Sequence, residues 1–151
     1  MLLYVFRHGE ARTQSEDPER GLTAAGRAQV AAVSRVFAKT RPEIREIWHS
    51  DKIRAEQTGA VLADTLRIPE RMHMRPGLHP NDPVHPLVES LRQRDANLVI
   101  VGHLPHLSRL VSVLLTGTER TLVELPAAGL LCLQRSSAEW RLDWFLTPDL
   151  C

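Results

Sequence analysis

Residues 4–11 read YVFRHGEA. Ahead of Arg7, five of the six residues are large and apolar, and Tyr4 interrupts them only mildly. A short run of this kind is what a strand covered on both faces requires, as in a parallel sheet. Arg7, His8, Gly9 and Glu10 then arrive together. A buried strand that ends in a cation, an imidazole and a glycine presents them at its tip. In open parallel sheets, ligands bind beyond the carboxyl ends of the strands.

Outward from this stretch, the periodicity alternates. Thr23 is placed to cap a helix running to about Lys39, with Val30, Val33, Val36 and Phe37 on its inner face. Ile44 to Trp48 reads as a second strand. Ser50 is read as the cap of a second helix that runs to about Leu66, ahead of Pro69. RPGLHPNDPVHP, residues 75–86, holds four prolines and reads as a surface loop able to carry function. Val84, Leu87, Val88 and Leu91 have helical spacing. Leu98 to Val101 is a buried strand, followed by Gly102-His103, and Leu107, Leu110, Val111 and Leu114 mark a fourth helix. TLVEL (121–125), GLLCLQ (129–134) and WRLDWF (140–145) read as further strands. Alternation in WRLDWF predicts one wetter face at an edge, with Trp140 and Trp144 on a shared face as core or sheet cover.

Alternating strands and helices predict an α/β three-layer sandwich with a mainly parallel central sheet. The 151 residues suffice for one domain with a proper core and not comfortably for two, so residues 1–151 are taken as a single domain. A formal net charge of +1 exerts no global pull toward nucleic acid or anionic lipid, and neither is expected as a partner. No run approaches the roughly 20 apolar residues of a membrane span. Arg7 cuts the first apolar run too early for a signal peptide, which also lacks its basic flank. Two cysteines, Cys132 and Cys151, make no disulfide framework, and a reducing cytoplasm is the expected compartment. Cys132 sits in an apolar strand and reads as core. His103 and His106 lie three apart, but a zinc site needs three or four convergent ligands, so no metal or other cofactor is expected.

The chemistry is sought at the strand ends. The first ends in Arg7-His8-Gly9. The second ends in His49-Ser50 and leads into a helix whose first turn carries Arg54. The third ends in Gly102-His103. A rim with two arginines, two histidines and helix N-termini suits a dense anion, and phosphate above all. Arg offers planar forks to its oxygens, and Gly9 is expected to let the backbone come close to the anion.

Four ordered motifs carry a resemblance: RHGEA at 7–11, GLTAAG at 21–26, SDKIRAEQT at 50–58 and GHLPHL at 102–107. Together they resemble the histidine phosphatase superfamily, and within it the small SixA-type phosphohistidine phosphatases. The resemblance covers nearly the whole chain. It implies a phosphoglycerate-mutase-like fold lacking the large helical cap of bigger members, and therefore an open site. It implies a metal-independent phosphatase with His8 as nucleophile, and Arg7, Arg54 and His103 as its partners around the phosphate. His8 must then be unprotonated on the attacking nitrogen, its other nitrogen donating to a backbone carbonyl, and the surrounding cations are expected to hold it neutral. Glu10 is read as a structural partner for a nearby Arg.

Two departures from the family pattern stand out. Gly77 occupies a position where relatives often carry a Glu that protonates the leaving oxygen, and Asp51 one where they often carry Pro. Asp82, His79 and His85 are nearby substitutes for the acid, and the sequence does not choose among them. The expected substrate is phosphohistidine on a signalling or phosphotransfer protein, since an open site encloses nothing small. The alternatives are a phosphatase for a small phosphorylated metabolite and a non-catalytic module that captures a phosphorylated ligand, though a pure binder has no need of the nucleophile.

Overall fold

The computed structural model describes residues 1–151. Six strands form one sheet: β1 Leu2–Arg7, β2 Glu46–His49, β3 Met72–Met74, β4 Leu98–Gly102, β5 Leu130–Ser136 and β6 Glu139–Leu146, in the spatial order β3-β2-β4-β1-β5-β6. The first four are mutually parallel, and β5 and β6 close one edge as an antiparallel hairpin. Four helices connect them: α1 Ala24–Ala38, α2 Ile53–Leu66, α3 His85–Arg92 and α4 His106–Thr116. None is long and apolar enough to cross a membrane.

β1 shows why its residues are apolar without alternation. Leu3 and Val5 pack with Leu98 and Ile100 of β4 against Leu87, Val88 and Leu91 of α3 and Leu107, Leu110 and Val111 of α4. Tyr4 and Phe6 point the other way, with Val99 and Val101, onto Val30, Val33 and Phe37 of α1 and Leu62 of α2. Helices α1 and α2 therefore cover one face and α3 and α4 the other, which is the three-layer α/β sandwich. Thr23 caps α1 by accepting the Gly26 N–H at 2.9 Å. No large helical insertion covers the carboxyl rim.

Several expectations are corrected. TLVEL is not a strand: the carbonyls of Val123 and Leu125 accept from Ser108 Oγ at 3.0 Å and Arg7 Nη1 at 2.7 Å, so side chains occupy groups that a ladder would need. β2 begins at Glu46 rather than Ile44 and extends to His49. Ser50 does not cap α2, whose N-cap position is held by Lys52; the Ser50 hydroxyl is engaged by His103 instead. β3, with three residues at the sheet edge, went unanticipated.

Trp140 and Trp144 do not share a face. Trp140 packs in the α3/α4 core and Trp144 against the α1/α2 core. The reason is a β-bulge: Cys132 pairs with Trp144 but Leu133 pairs with Leu142, leaving Asp143 as the extra residue. One inserted residue reverses which side of the sheet the next side chain meets. Trp144 then joins Tyr4 and Phe37, with ring centroids 5.9 and 5.8 Å away.

Candidate active site

Three adjacent parallel strands end level. The register pairs Arg7 with Gly102 and His49 with Val101, so β1, β4 and β2 release His8, His103 and Ser50 side by side at the carboxyl rim. The rings of His8 and His103 lie 5.0 Å apart between centroids.

His8 Nδ1 sits 2.7 Å from the carbonyl of Gly9. A carbonyl only accepts, so Nδ1 carries the hydrogen and Nε2 keeps its lone pair. Burial pushes the imidazole pKa down to about 4, and the charges of Arg54, Arg7 and Arg20 add to the shift. The neutral imidazole expected at His8 is thus explained first by desolvation and only second by the cations. The Gly9 N–H donates to Thr58 Oγ1 at 3.1 Å, and that hydroxyl donates to the Arg54 carbonyl at 2.8 Å. One α2 side chain therefore ties the His8 loop to the turn that carries Arg54. Thr58 follows Arg54 by four residues, which puts both on one helix face, and that spacing was the signal available for finding it.

Gly9 is required by its packing against α1. A Cβ at Gly9 would lie 2.7 Å from Val30 Cγ2 and 2.8 Å from the Gly26 carbonyl oxygen. Its missing side chain lets the loop rest on α1. Gly26 reciprocates, since a Cβ there would fall 2.1 Å from the Glu10 carbonyl oxygen. Glu10 pairs with Thr23 rather than an Arg: its Oε1 accepts the Thr23 hydroxyl at 2.8 Å.

Arg7 donates through Nη1 to the Leu125 carbonyl, and its buried Nε has no partner. Arg54 is 9% exposed, with Nε likewise unpartnered. Neither forms an ion pair with a carboxylate. Burial lowers the pKa of both, and for Arg54 the Arg20 charge adds to this, yet guanidinium groups remain charged in proteins. His103 is 2% exposed; Ser50 Oγ lies 2.6 Å from its Nε2, and Nδ1 has no partner. Its pKa is pushed down to about 3 by burial first and by His8 and Arg54 after it. Two uncompensated guanidiniums and two neutral imidazoles make a site short of acceptors, and a dense anion supplies acceptors and negative charge together.

Arg20, not singled out from sequence, adds a third cation. Its φ of 54° is left-handed, its Nε donates to the Arg12 carbonyl at 3.2 Å, and its charge acts on both His8 and Arg54. A shallow cleft of about 340 Å³ runs between Gln14, Arg20, Lys52 and Arg54. The largest cleft, about 790 Å³, lies elsewhere, lined by Arg41, Arg45, Arg67 and Asn97, and touches none of the rim histidines. No three His, Cys, Asp or Glu side chains cluster as metal ligands would.

The three substitutes for the acid separate. Gly77 has φ +81° and open space around it. His79 Nε2 lies 2.6 Å from Asp51 Oδ1. Asp82 braces the loop through one oxygen, its Oδ2 accepting the His79 backbone N–H at 2.8 Å. His85 faces Glu119 at 3.5 Å, in a groove with Arg135 and Trp140.

Residues 3–80, just over half the chain, match the family model described as histidine phosphatase superfamily (branch 1). The chain is 27% identical to phosphohistidine phosphatase SixA of Escherichia coli K12 over 154 residues, covering 98% of this chain and 94% of that protein. Among solved structures, the protein histidine phosphatase SixA complexed with tungstate superposes with a TM-score of 0.89 at 24% identity, covering 99% of each chain. A mycobacterial glucosyl-3-phosphoglycerate phosphatase in complex with VO3 gives 0.73 at 21% identity, covering 94% of this chain and 96% of that one. At these identities the two structural likenesses speak for the fold alone.

Proposed function

The chain belongs to the histidine phosphatase superfamily, and from that premise we propose that it removes phosphate from phosphohistidine on a protein, through a phospho-His8 intermediate and without a metal. The observation that carries the reading is the His8 Nδ1–H bond to the Gly9 carbonyl, which leaves Nε2 bare beside Arg7, Arg54 and His103. In the first step the Nε2 lone pair attacks phosphorus, the bond to the leaving group breaks, and its electron pair departs with that group. His8 keeps its Nδ1 hydrogen throughout. In the second step water attacks the phosphoimidazole, the P–N bond breaks, and neutral His8 returns. Arg7 and Arg54 offset charge on the phosphoryl oxygens, which is most of what such a transfer demands.

The open rim supports a protein substrate, since a phosphorylated side chain can reach His8 from outside. The similarity to SixA of Escherichia coli points the same way, and with it a cytoplasmic role in signalling or phosphotransfer. A second reading, a small phosphorylated metabolite as substrate, draws on the shared fold of the glucosyl-3-phosphoglycerate phosphatase. The test is phosphate release from a phosphohistidine-bearing protein and from a panel of small phosphoesters, with wild type and His8→Ala side by side. Release chiefly from phosphohistidine, abolished in His8→Ala, is the expected result. Release chiefly from one small ester would replace the substrate and keep the mechanism. Tight binding without release would make the chain a binding module.

A further inference from the structure

The two departures from the family pattern, Gly77 and Asp51, lie on segments that touch, through His79 two residues past Gly77. β3 runs parallel to β2 with His49 opposite Met74, and the Arg75 N–H donates to the His49 carbonyl at 2.9 Å. The loop after β3 therefore leaves the sheet on the carboxyl rim, next to Ser50. Two residues past the bare Gly77, that loop offers His79. Its Nε2 is held by Asp51 Oδ1 at 2.6 Å, and its backbone N–H by Asp82 Oδ2 at 2.8 Å. Asp51 follows Ser50, whose hydroxyl lies 2.6 Å from His103 Nε2. The His79 charge is itself felt at His103. The ring is half-exposed.

We propose that His79, oriented by Asp51, is the acid that protonates the leaving oxygen of phosphoesters, in place of the side chain that Gly77 lacks. This inference rests on the phosphatase reading above. With its Nε2–H directed at Asp51, protonated His79 has its Nδ1–H to give. As His8 Nε2 bonds phosphorus and the P–O bond breaks, that proton passes to the departing oxygen, and an alcohol leaves. Neutral His79 Nδ1 then takes a proton from the water that attacks phospho-His8. Each turnover returns both histidines to their starting state. A carboxylate that holds one ring nitrogen and leaves the other to do the transfer is established chemistry for imidazole. Asp82 Oδ2 accepts the His79 backbone N–H, and His85 lies beside Glu119. Asp51 acts through His79 and is a positioning residue.

The requirement for this acid scales with the basicity of the leaving group. An alkoxide needs the proton; a nitrophenolate does not, and phosphohistidine leaves as an imidazole that takes its proton on its own ring. The test compares kcat/KM of wild type, His79→Gln, Asp51→Asn and a His85→Gln control on glycerol phosphate, p-nitrophenyl phosphate and a phosphohistidine peptide. His79→Gln is expected to lose about 100-fold on glycerol phosphate and less than about threefold on the other two, the size of a general-acid contribution. Asp51→Asn should follow the same pattern with a smaller loss, and His85→Gln should match wild type. Equal losses on all three substrates would show a structural role and overturn the assignment. So would wild-type rates on glycerol phosphate in His79→Gln. The phosphatase reading itself fails by a different result: no turnover of any substrate by wild type, or turnover that survives His8→Ala.

Discussion

Acidification from pH 7.5 to 5.0 tests the buried imidazoles directly. His8 and His103 titrate at about 4 and about 3 in the folded chain, chiefly because burial disfavours the cation. His106 is fully buried with neither ring nitrogen partnered, and its pKa is lowered, burial first, with Arg109 lowering it further while Asp82 and Glu119 oppose. An unfolded histidine titrates near ~6.5. Folded values below unfolded ones mean that the unfolded chain binds more protons under pH ~6.5, so unfolding gains with acidification. The stability is fully present above ~6.5, falls as pH drops, and levels off only near the folded values. At pH 5.0, about 1.5 units under the unfolded pKa, each neutral imidazole costs about 2 kcal/mol of stability, hence about 4 kcal/mol for His8 and His103 together. His106 adds in the same direction. Carboxylates with lowered pKa, such as Glu46 and Glu119, act in the same sense only at lower pH, since their ordinary value is 4.5. Against a typical stability of roughly 5–15 kcal/mol, the loss is large. Urea unfolding in phosphate-free buffer at pH 7.5, 6.0 and 5.0 measures it, with an unchanged m-value securing the comparison. His8→Ala should flatten the profile by about 2 kcal/mol at pH 5.0. A profile flat to pH 5.0, or one that falls only below 4.5, would refute the claim that these rings are held neutral by burial.

Gly26→Ala places a methyl 2.1 Å from the Glu10 carbonyl oxygen, a backbone atom that cannot rotate away. Overpacking of about 1–3 kcal/mol or more should outweigh the helix-propensity gain of up to about 1 kcal/mol, so Tm falls by several degrees and activity falls with it. Calorimetry and phosphatase kinetics on the same sample check both. Thr58→Val keeps the shape but leaves the buried Gly9 N–H without its acceptor, at about 1–3 kcal/mol. Its kcat should drop further than its affinity for vanadate, because Arg54 keeps its place while the His8 loop loses a tether.

Strand ends were legible because they are carried by residue type. An apolar run of β1's length must be buried on both faces, and a polar cluster at its tip must then sit on the rim. Thr23 was legible for a similar reason: a cap is a local device, satisfied within three residues. What sequence did not show depends on partners far along the chain. Ser50 has the right chemistry to cap a helix, and only the arrival of His103, 53 residues later, diverts it. Gly9 reads as backbone freedom beside an anion, and only the path of α1 shows that there is no room for a side chain there. The tryptophans obey a period of two until a single unpaired residue, Asp143, resets it, and nothing in WRLDWF marks where pairing slips. Within the site, His8, Arg7, Arg54 and His103 do converge at the rim. Arg20 and Thr58 were missed because their parts are set by loop path and helix phase.

The contact between Gly9 and Gly26 also constrains how this chain can change. In most packed pairs, growth on one side can be met by shrinkage on the other. Here both partners are already reduced to hydrogen, and the atoms they meet include main-chain oxygens. No compensating substitution exists, so neither position can drift while the other adjusts. Drift is left to the exposed positions around them, Glu10 and Ala25 among them, and the two glycines can only persist or be lost together with the loop that aims His8.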